Sequence, residues 1–174
     1  MAKENYDRLL ALVLKHEGGF VHHAKDPGGA TNFGVTQAVY NAYRRGRKQA
    51  IQSVRHIAMP EIKDIYRRQY WDAVRGDDLP DGVDYTIFDF AVNSGVSRSA
   101  QFLQRAVGAS ADGRIGPATL GAVRARKPGD VISDVNTARL AFLRGLRHWP
   151  TFGKGWRRRV DDVLRISMQM AGGR

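Results

Sequence analysis

Apolar residues recur at the spacing of an α-helix through almost the whole chain, which limits the fold to a helical one. In the first such segment Tyr6, Leu10 and Val13 lie on one face, because three or four residues separate them. Similar segments begin near residues 37, 60, 83, 97, 117, 130 and 153. We therefore predict an all-α fold with a helical C-terminal lobe.

Local signals place several ends of these helices. Asn5 is a plausible N-cap of the first helix, and Thr36 is an N-cap candidate for a second that ends at Gly46. Pro60 and Pro117 suit the first turn of a helix, where the missing amide hydrogen has no cost. Trp149-Pro150 is expected to stop the helix that begins near residue 130.

The composition excludes several classes of protein. The 174 residues are 43% hydrophobic, which suits one good core with room for a small appended lobe, and they include no cysteine. The chain therefore has no disulfide framework, no thiolate nucleophile and no cysteine-based zinc site. The only N-terminal apolar run, LLALVL, belongs to the amphipathic first helix and resembles neither a secretory signal nor a membrane span. We expect synthesis in the cytoplasm and release by another route.

The charge of the chain points to an anionic partner. The formal net charge is +11 at pH 7, with basic clusters at residues 44–48 and 157–159. Nucleic acid, lipid head groups and the phosphate- and carboxylate-rich bacterial envelope all fit this sign of charge.

Glu17 is the first candidate for chemistry. It follows Val13 by four residues on the apolar face and precedes Gly18-Gly19, where a helix can exit. Burial and the negative end of the helix dipole both disfavour an ionised carboxylate there, although Lys15 and His16 oppose this. A carboxyl group that keeps its proton is suited to general acid catalysis. The alternative is an ordinary helix-end glutamate paired with a neighbouring base.

A glycine-rich loop follows Glu17 and carries two more polar candidates. Asp26 precedes the tight turn Pro27-Gly28-Gly29, and Thr31 comes shortly after it. The turn could bring both side chains opposite Glu17. An acid facing a carboxylate and a hydroxyl group can hydrolyse a glycosidic bond, with the second pair holding water or stabilising the transition state. Alternatively, Asp26 caps its own turn and Thr31 bonds a main-chain amide.

The motifs HEGGF and DPGGATNFGVTQ resemble those of the glycoside hydrolase family 108 N-acetylmuramidases, lysozymes found as phage endolysins. The resemblance implies a lysozyme-like fold, peptidoglycan as the substrate and Glu17 as the catalytic acid. It also implies cleavage between N-acetylmuramic acid and N-acetylglucosamine, with no cofactor or metal. We expect the protein to act in the periplasm or cell wall after holin-type or other release. We also expect it to bind anionic envelope polymers, to bind no nucleic acid and to be a monomer.

Substrate-binding roles are expected for five further residues. Three lie within the family motifs: Phe20, Asn32 and Gln37. Trp71 ends an amphipathic helix, where it is either a core residue or a surface for sugar rings. Asn93 belongs to the helix end Asn93-Ser94-Gly95 and either caps the helix or bonds an N-acetyl group.

The chain is predicted to have two regions packed as one body. Residues 4–95 form the muramidase region, and residues 96–172 form a helical region. The segment DGRIGPATLGAV in the second region is similar to helical peptidoglycan-binding repeats. Its glycines and Pro117 also have a purely structural explanation as a turn and a helix start.

Three rival functions fit parts of the sequence. A basic helical protein could bind nucleic acid, but that gives no reason for an acidic residue beside a glycine-rich loop. A zinc amidase could use His22, His23 or His56 with Asp26, although no histidine pair has helical metal-site spacing. A non-catalytic wall-binding protein would require a degenerate site, and nothing near Glu17 looks degenerate.

Overall fold

The computed structural model describes residues 2–22 and 29–172, with side chains from residue 5 onward. Its described part has a helical fold with one two-stranded sheet, which confirms the predicted all-α class. The helices are α1 (Ala2–His16), α2 (Gln37–Gly46), α3 (Met59–Tyr66), α4 (Val83–Ser94), α5 (Val96–Ala106), α6 (Pro117–Arg124), α7 (Pro128–Arg144) and α8 (Trp149–Gly172). The strands are β1 (Thr31–Asn32) and β2 (Val35–Thr36).

The chain forms two compact units. Residues 7–69 make up one, called here the hairpin unit, and residues 1–6 with 70–174 make up the other, called the helical unit. The boundaries predicted from the sequence, 4–95 and 96–172, stay a prediction about the functional regions.

The hairpin unit buries apolar side chains from α1, α2, α3, β2 and residues 54–57. Its buried apolar side chains are Leu9, Leu10, Val13, Val35, Tyr40, Val54, Ile57, Ile62, Ile65 and Tyr66. Helix-period spacing predicted the burial of Leu10 and Val13, and the structure confirms it.

A β-hairpin interrupts the helices of this unit and was not predicted. Thr31 pairs with Thr36 and Asn32 with Val35 in antiparallel register. Phe33 and Gly34 join the strands with positive φ angles of 48° and 75°. Two consecutive positive φ values match a type I′ turn, whose twist suits a two-residue hairpin.

Capping explains how α2 begins, but it does not explain how α1 begins. The Thr36 side chain accepts a hydrogen bond from the Val39 amide, and α2 ends at Gly46, so both predicted limits are confirmed. The prediction for Asn5 is wrong, because α1 already begins at Ala2. The Asn5 amide instead donates to Asp81 and Asp84 within the helical unit.

Helix α4 is the centre of the helical unit. Every residue from Val83 to Ala91 is buried, and the helix packs against α5, α7 and α8. The helix-period spacing predicts one buried face for this helix, but every face of this stretch is buried, because neighbouring helices surround it. The core around it contains Val74, Leu79, Val83, Ile87, Phe90, Ala91, Ala100, Leu103, Ile115, Leu120, Val123, Val131, Ile132 and Val135.

Charged groups within this core are paired. Asp89 of α4 is fully buried and accepts hydrogen bonds from Arg159 Nε at 3.0 Å and Arg159 Nη2 at 2.9 Å. Arg139, also fully buried, places Nη2 2.8 Å from Asp89 Oδ2. Burial opposes ionisation, but the two guanidinium groups dominate and lower the pKa of Asp89.

Helix α8 begins earlier than the sequence suggested. The prediction that Trp149-Pro150 stops α7 is wrong, because α7 already ends at Arg144 and Trp149-Pro150 forms the first turn of α8. Proline is favoured there because the first-turn amides have no helical partner. Among the helices of residues 2–22 and 29–172, none has both the length and the apolarity of a membrane-crossing segment.

Candidate active site

Glu17 lies at the point where α1 ends. Its amide donates to the Leu14 carbonyl at 3.2 Å, which continues the helical hydrogen bonding one residue beyond His16. The residue is half-buried, whereas Leu10 and Val13 on the same face are fully buried. Glu17 therefore lies at the edge of the apolar face, where a carboxyl group can reach both core and solvent.

The turn of the β-hairpin lies directly against this carboxyl group. A methyl group built on Gly34 would lie 3.0 Å from Glu17 Oε2 and 2.6 Å from the hydroxyl oxygen of Tyr66. The same hydroxyl group donates to the Phe33 carbonyl at 2.7 Å. Tyr66 thus holds the turn in place beside Glu17, and only a residue without a side chain fits at position 34.

Sequence reasoning missed Tyr66 as part of the site. Tyr66 ends α3 and is almost completely buried, with 2% exposure. Its hydroxyl group is the feature that could have indicated such a role, because a buried tyrosine normally forms a hydrogen bond with a nearby group.

Of the other two catalytic candidates, Thr31 and Asp26, the structure describes only Thr31. Thr31 begins β1, is half-buried and exchanges two backbone hydrogen bonds of 2.8 Å with Val21, which fix its main chain. Asp26 lies outside the described residues, so its predicted place opposite Glu17 stays a prediction.

Two other carboxylates of the hairpin unit are already bound to cations. Burial alone would raise the pKa of Glu61, but hydrogen bonds from Ala58 N–H and Tyr40 O–H, together with Arg44, lower it. The pKa of Asp64 is lowered in the same way by Arg47 and Arg68, against the effect of burial. Both groups are held ionised and are therefore unsuited to act as a general acid near neutral pH.

Phe20 is half-buried near the start of the loop and carries a cation above its ring. The guanidinium carbon of Arg55 lies 4.4 Å from the ring centroid. An aromatic surface joined to an exposed arginine could contact a sugar bearing a carboxylate, so the substrate-binding prediction for Phe20 is kept as a proposal.

Asn32 and Gln37 form structural hydrogen bonds, which argues against direct substrate contacts. Asn32 is buried, and its amide donates to the carbonyl oxygens of Val54 and Arg55, both at 3.2 Å. Gln37 donates to Asn41 and to the Gln52 carbonyl, both at 2.8 Å, and accepts from the Val54 amide at 2.7 Å. Both side chains tie the hairpin and α2 to residues 52–55.

Trp71 is a core residue of the helical unit, and the predicted sugar-stacking role is wrong. Its side chain has no exposed surface, and its ring packs against Tyr6 at 5.4 Å and Phe88 at 5.3 Å between centroids. The indole N–H donates to Asp77 at 3.0 Å. A ring that is enclosed on all sides offers no face to a ligand.

Asn93 lies in the helical unit at the end of α4, as predicted, and is half-buried. Gly95 follows as the C-cap residue, with a φ of 97°. The Asn93 side chain lines a groove of this unit, described below.

The described part of the chain has an all-α, lysozyme-like fold, with a half-buried glutamate at a helix end beside a short hairpin. The family model described as Glycosyl hydrolase 108 matches residues 10–95, and the chain belongs to this family. It is therefore a glycoside hydrolase of the N-acetylmuramidase type, with peptidoglycan as its substrate.

A solved structure supports the same conclusion over the full length. The structure of Brucella abortus SagA is 44% identical in sequence and has a TM-score of 0.85, and the match covers 98% of this chain and 97% of SagA. No curated protein matches the chain.

Proposed function

We propose that this protein is a lysozyme that cleaves the β-1,4 bond between N-acetylmuramic acid and N-acetylglucosamine, with Glu17 as the general acid. The observation that carries the proposal is the contact between Glu17 at the helix end and the hairpin turn, which Tyr66 holds by a hydrogen bond to the Phe33 carbonyl. Membership of the family supports the substrate class.

In this mechanism the Glu17 carboxyl group donates its proton to the glycosidic oxygen as the bond breaks. Positive charge then develops on the sugar ring whose anomeric carbon took part in the broken bond. Asp26 and Thr31 would hold the attacking water or stabilise that charge. The backbone pairing of Thr31 with Val21 fixes the main chain that carries the Thr31 hydroxyl group.

The test of this proposal is the Glu17→Gln variant. An amide cannot supply the proton, so we expect turnover of purified peptidoglycan to fall by roughly 100-fold or more, the usual scale of general acid catalysis. Release of reducing ends measures turnover, and thermal unfolding checks the fold. Asp26→Asn should cost less, because positioning by the side chain is partly retained.

Asp7→Asn is the matched control, since it removes a carboxylate from the same helix, where the side chain is 69% exposed and pairs with Lys63. We expect it to keep full activity. Wild-type turnover by Glu17→Gln, with an unchanged unfolding temperature, would rule out Glu17 as the acid.

Mass spectrometry of wall digests tests the bond that is cut. A free reducing end on muramic acid is expected for the proposed cleavage. A reducing end on N-acetylglucosamine, or a cleaved peptide, would contradict the bond assignment while leaving the glycoside hydrolase family unaffected.

A further inference from the structure

The helical unit contains a groove that no residue of the proposed mechanism uses. It has a volume of about 340 Å³ and is lined at the end of α4, the start of α5, the end of α7 and one face of α8 by Asn93, Arg98, Phe142, Leu143, Leu146 and Trp156. We call it the Asn93 groove. Its volume lies in the range of small-molecule sites.

The amide of Asn93 has a fixed orientation in this groove. Its Oδ1 accepts hydrogen bonds from Arg139 Nη2 and from the Ser94 hydroxyl group, both at 3.2 Å. Arg139 is fully buried and also paired with Asp89, so its position is set by the core. Because arginine only donates, the oxygen of the amide must face it. The Asn93 Nδ2 hydrogens then point away from Arg139, and they have no hydrogen-bond partner within the described part of the chain.

A positive charge lies beside this donor. Arg98 is exposed, and its Nη1 donates to the Ser94 carbonyl at 3.1 Å while its guanidinium group lies 4.6 Å from the centroid of Phe142. Both contacts restrain the side chain, so the charge is held at the groove. Such a restrained guanidinium group is suited to binding a carboxylate.

Two further aromatic rings of α8 lie next to the one that lines the groove. Trp156 lines it, and Phe152 stacks on Trp156 with 5.9 Å between centroids. Trp149 lies 6.3 Å from Trp156, and Phe152 is 54% exposed. A cluster of large aromatic side chains at the surface is typical of a binding site, since exposing a contiguous apolar patch to water is unfavourable.

We propose that the Asn93 groove binds a peptidoglycan segment in which an acetamido sugar carries a peptide carboxylate. The Asn93 amide donates to the acetamido carbonyl oxygen, Arg98 binds the carboxylate, and Trp156 with Phe152 contacts the sugar ring. The proposal uses peptidoglycan as the substrate class but does not depend on which residue supplies the catalytic proton.

Nuclear magnetic resonance of the full-length protein tests this site with two monosaccharide ligands. Muramyl dipeptide has an acetamido group, a sugar ring and a free peptide carboxylate, whereas N-acetylglucosamine lacks the carboxylate. Neither contains a bond between sugars, so neither can be cleaved. We expect both to shift the side-chain amide signals of Asn93 and the indole signal of Trp156, with tighter binding of muramyl dipeptide.

Two variants and a control separate the contributions of the Arg98 charge and the Asn93 amide to ligand binding. Arg98→Gln should weaken muramyl dipeptide binding about tenfold and change N-acetylglucosamine binding by less than about twofold, because only the first ligand has a charge to lose. Asn93→Asp keeps the oxygen that faces Arg139 but removes the donor, so it should weaken both ligands about fivefold or more. Arg105→Gln is the matched control, since Arg105 is an exposed residue of α5 that also lies over an aromatic ring, Phe102, outside this groove.

The proposal is overturned if saturating muramyl dipeptide leaves the signals of Asn93 and Trp156 unshifted, or if Arg105→Gln weakens binding as much as Arg98→Gln. Equal losses of both ligands in Arg98→Gln would overturn the carboxylate assignment. The readout is binding and not turnover, so a failure here is distinct from a failure of Glu17→Gln to lower activity.

Discussion

Gly34 determines how closely the hairpin can approach the proposed catalytic acid. Its φ of 75° is accessible to glycine without strain, and its missing side chain leaves space for Glu17 and Tyr66. Phe33, also with a positive φ, is held by the hydrogen bond from Tyr66. The proposed site therefore depends on a residue that contributes no functional group.

Replacing Gly34 by alanine should damage both stability and activity. The new methyl group would lie 2.6 Å from the Tyr66 hydroxyl oxygen and 3.0 Å from Glu17 Oε2, so the turn must move away from both. The positive φ alone costs a non-glycine residue about 1–2 kcal/mol. Chemical unfolding and peptidoglycan turnover measure the two effects.

Gly108→Ala is the matched control, because Gly108 lies outside the catalytic loop and has a φ of 71°, and among the described residues no atom lies within 4 Å of the added methyl group. It should show the cost of the φ angle without the collision. Equal losses of stability and activity in the two variants would show that the contact with Glu17 and Tyr66 is unimportant.

Asp84 gives the protein a specific dependence of stability on pH. The residue is fully buried, and its Oδ1 accepts from the Gly82 and Tyr85 amides at 2.8 and 2.7 Å. Burial nevertheless raises its pKa from 3.8 to about 6. The folded state thus binds the proton more tightly than the unfolded chain, so this residue favours folding when protonated and its contribution is lost as the pH rises from about 4 to about 6.

The Asp84→Asn variant should lack this loss. A shift of this size corresponds to roughly 3 kcal/mol in the free energy of unfolding, and asparagine stays neutral throughout. Urea unfolding at pH 4, 5, 6 and 7 measures it, and the wild type should lose stability relative to the variant over that range. Parallel curves for the two proteins would contradict the raised pKa of Asp84.

At the scale of elements, polar side chains of the hairpin unit join its strands and helices by hydrogen bonds to main-chain groups. Asn32 bonds β1 to the turn at Val54–His56, and Gln37 joins α2 to the same segment. Thr36 joins β2 to α2 by capping the helix. These residues have polar side chains of the kind that sequence reasoning assigns to substrate binding, but their hydrogen bonds are used within the fold.

Thr36→Ala should lower the free energy of unfolding by about 1 kcal/mol, because the Val39 amide loses the hydroxyl oxygen that caps it. Thr36→Ser keeps that oxygen and should cost clearly less. Thermal or urea unfolding distinguishes the two, and equal effects would mean that the loss comes from packing of the methyl group instead of from the cap.

At the scale of the whole molecule, a chain of net charge +11 encloses two arginines in the core of its helical unit. Arg139 and Arg159 of α7 and α8 are compensated by the single carboxylate of Asp89 on α4. Arg139 in turn orients Asn93, so this buried cluster connects the core of the unit with the groove proposed as a ligand site.

Asp89→Asn should strongly destabilise the protein, by about 3–5 kcal/mol, because it leaves two buried guanidinium groups without a counter-charge. Asp134→Asn is the comparison: it removes a carboxylate that is 52% exposed and paired with Arg126, and it should cost less than about 1 kcal/mol. Chemical unfolding at neutral pH measures both, and similar values would show that burial of the Asp89 cluster carries no special cost.

Local preferences made much of the architecture predictable. Thr36, Pro60 and Pro117 mark helix starts because a cap or a missing amide hydrogen acts within a few residues, and Gly95 ends α4 for the same kind of reason. Glu17 could likewise be placed at the end of α1 from the apolar spacing before it and the glycines after it.

The sequence by itself therefore determined the helical class, most helix limits, the family motifs and Glu17 as the candidate acid. Only the tertiary structure decided that Trp71 is enclosed, that α4 is buried on all sides and that Tyr66 and Gly34 lie against Glu17. The physical reason is the distance along the sequence over which each interaction acts. Caps and turns depend on residues that are close neighbours along the chain. Burial and the partner of a polar side chain depend on which distant surfaces meet.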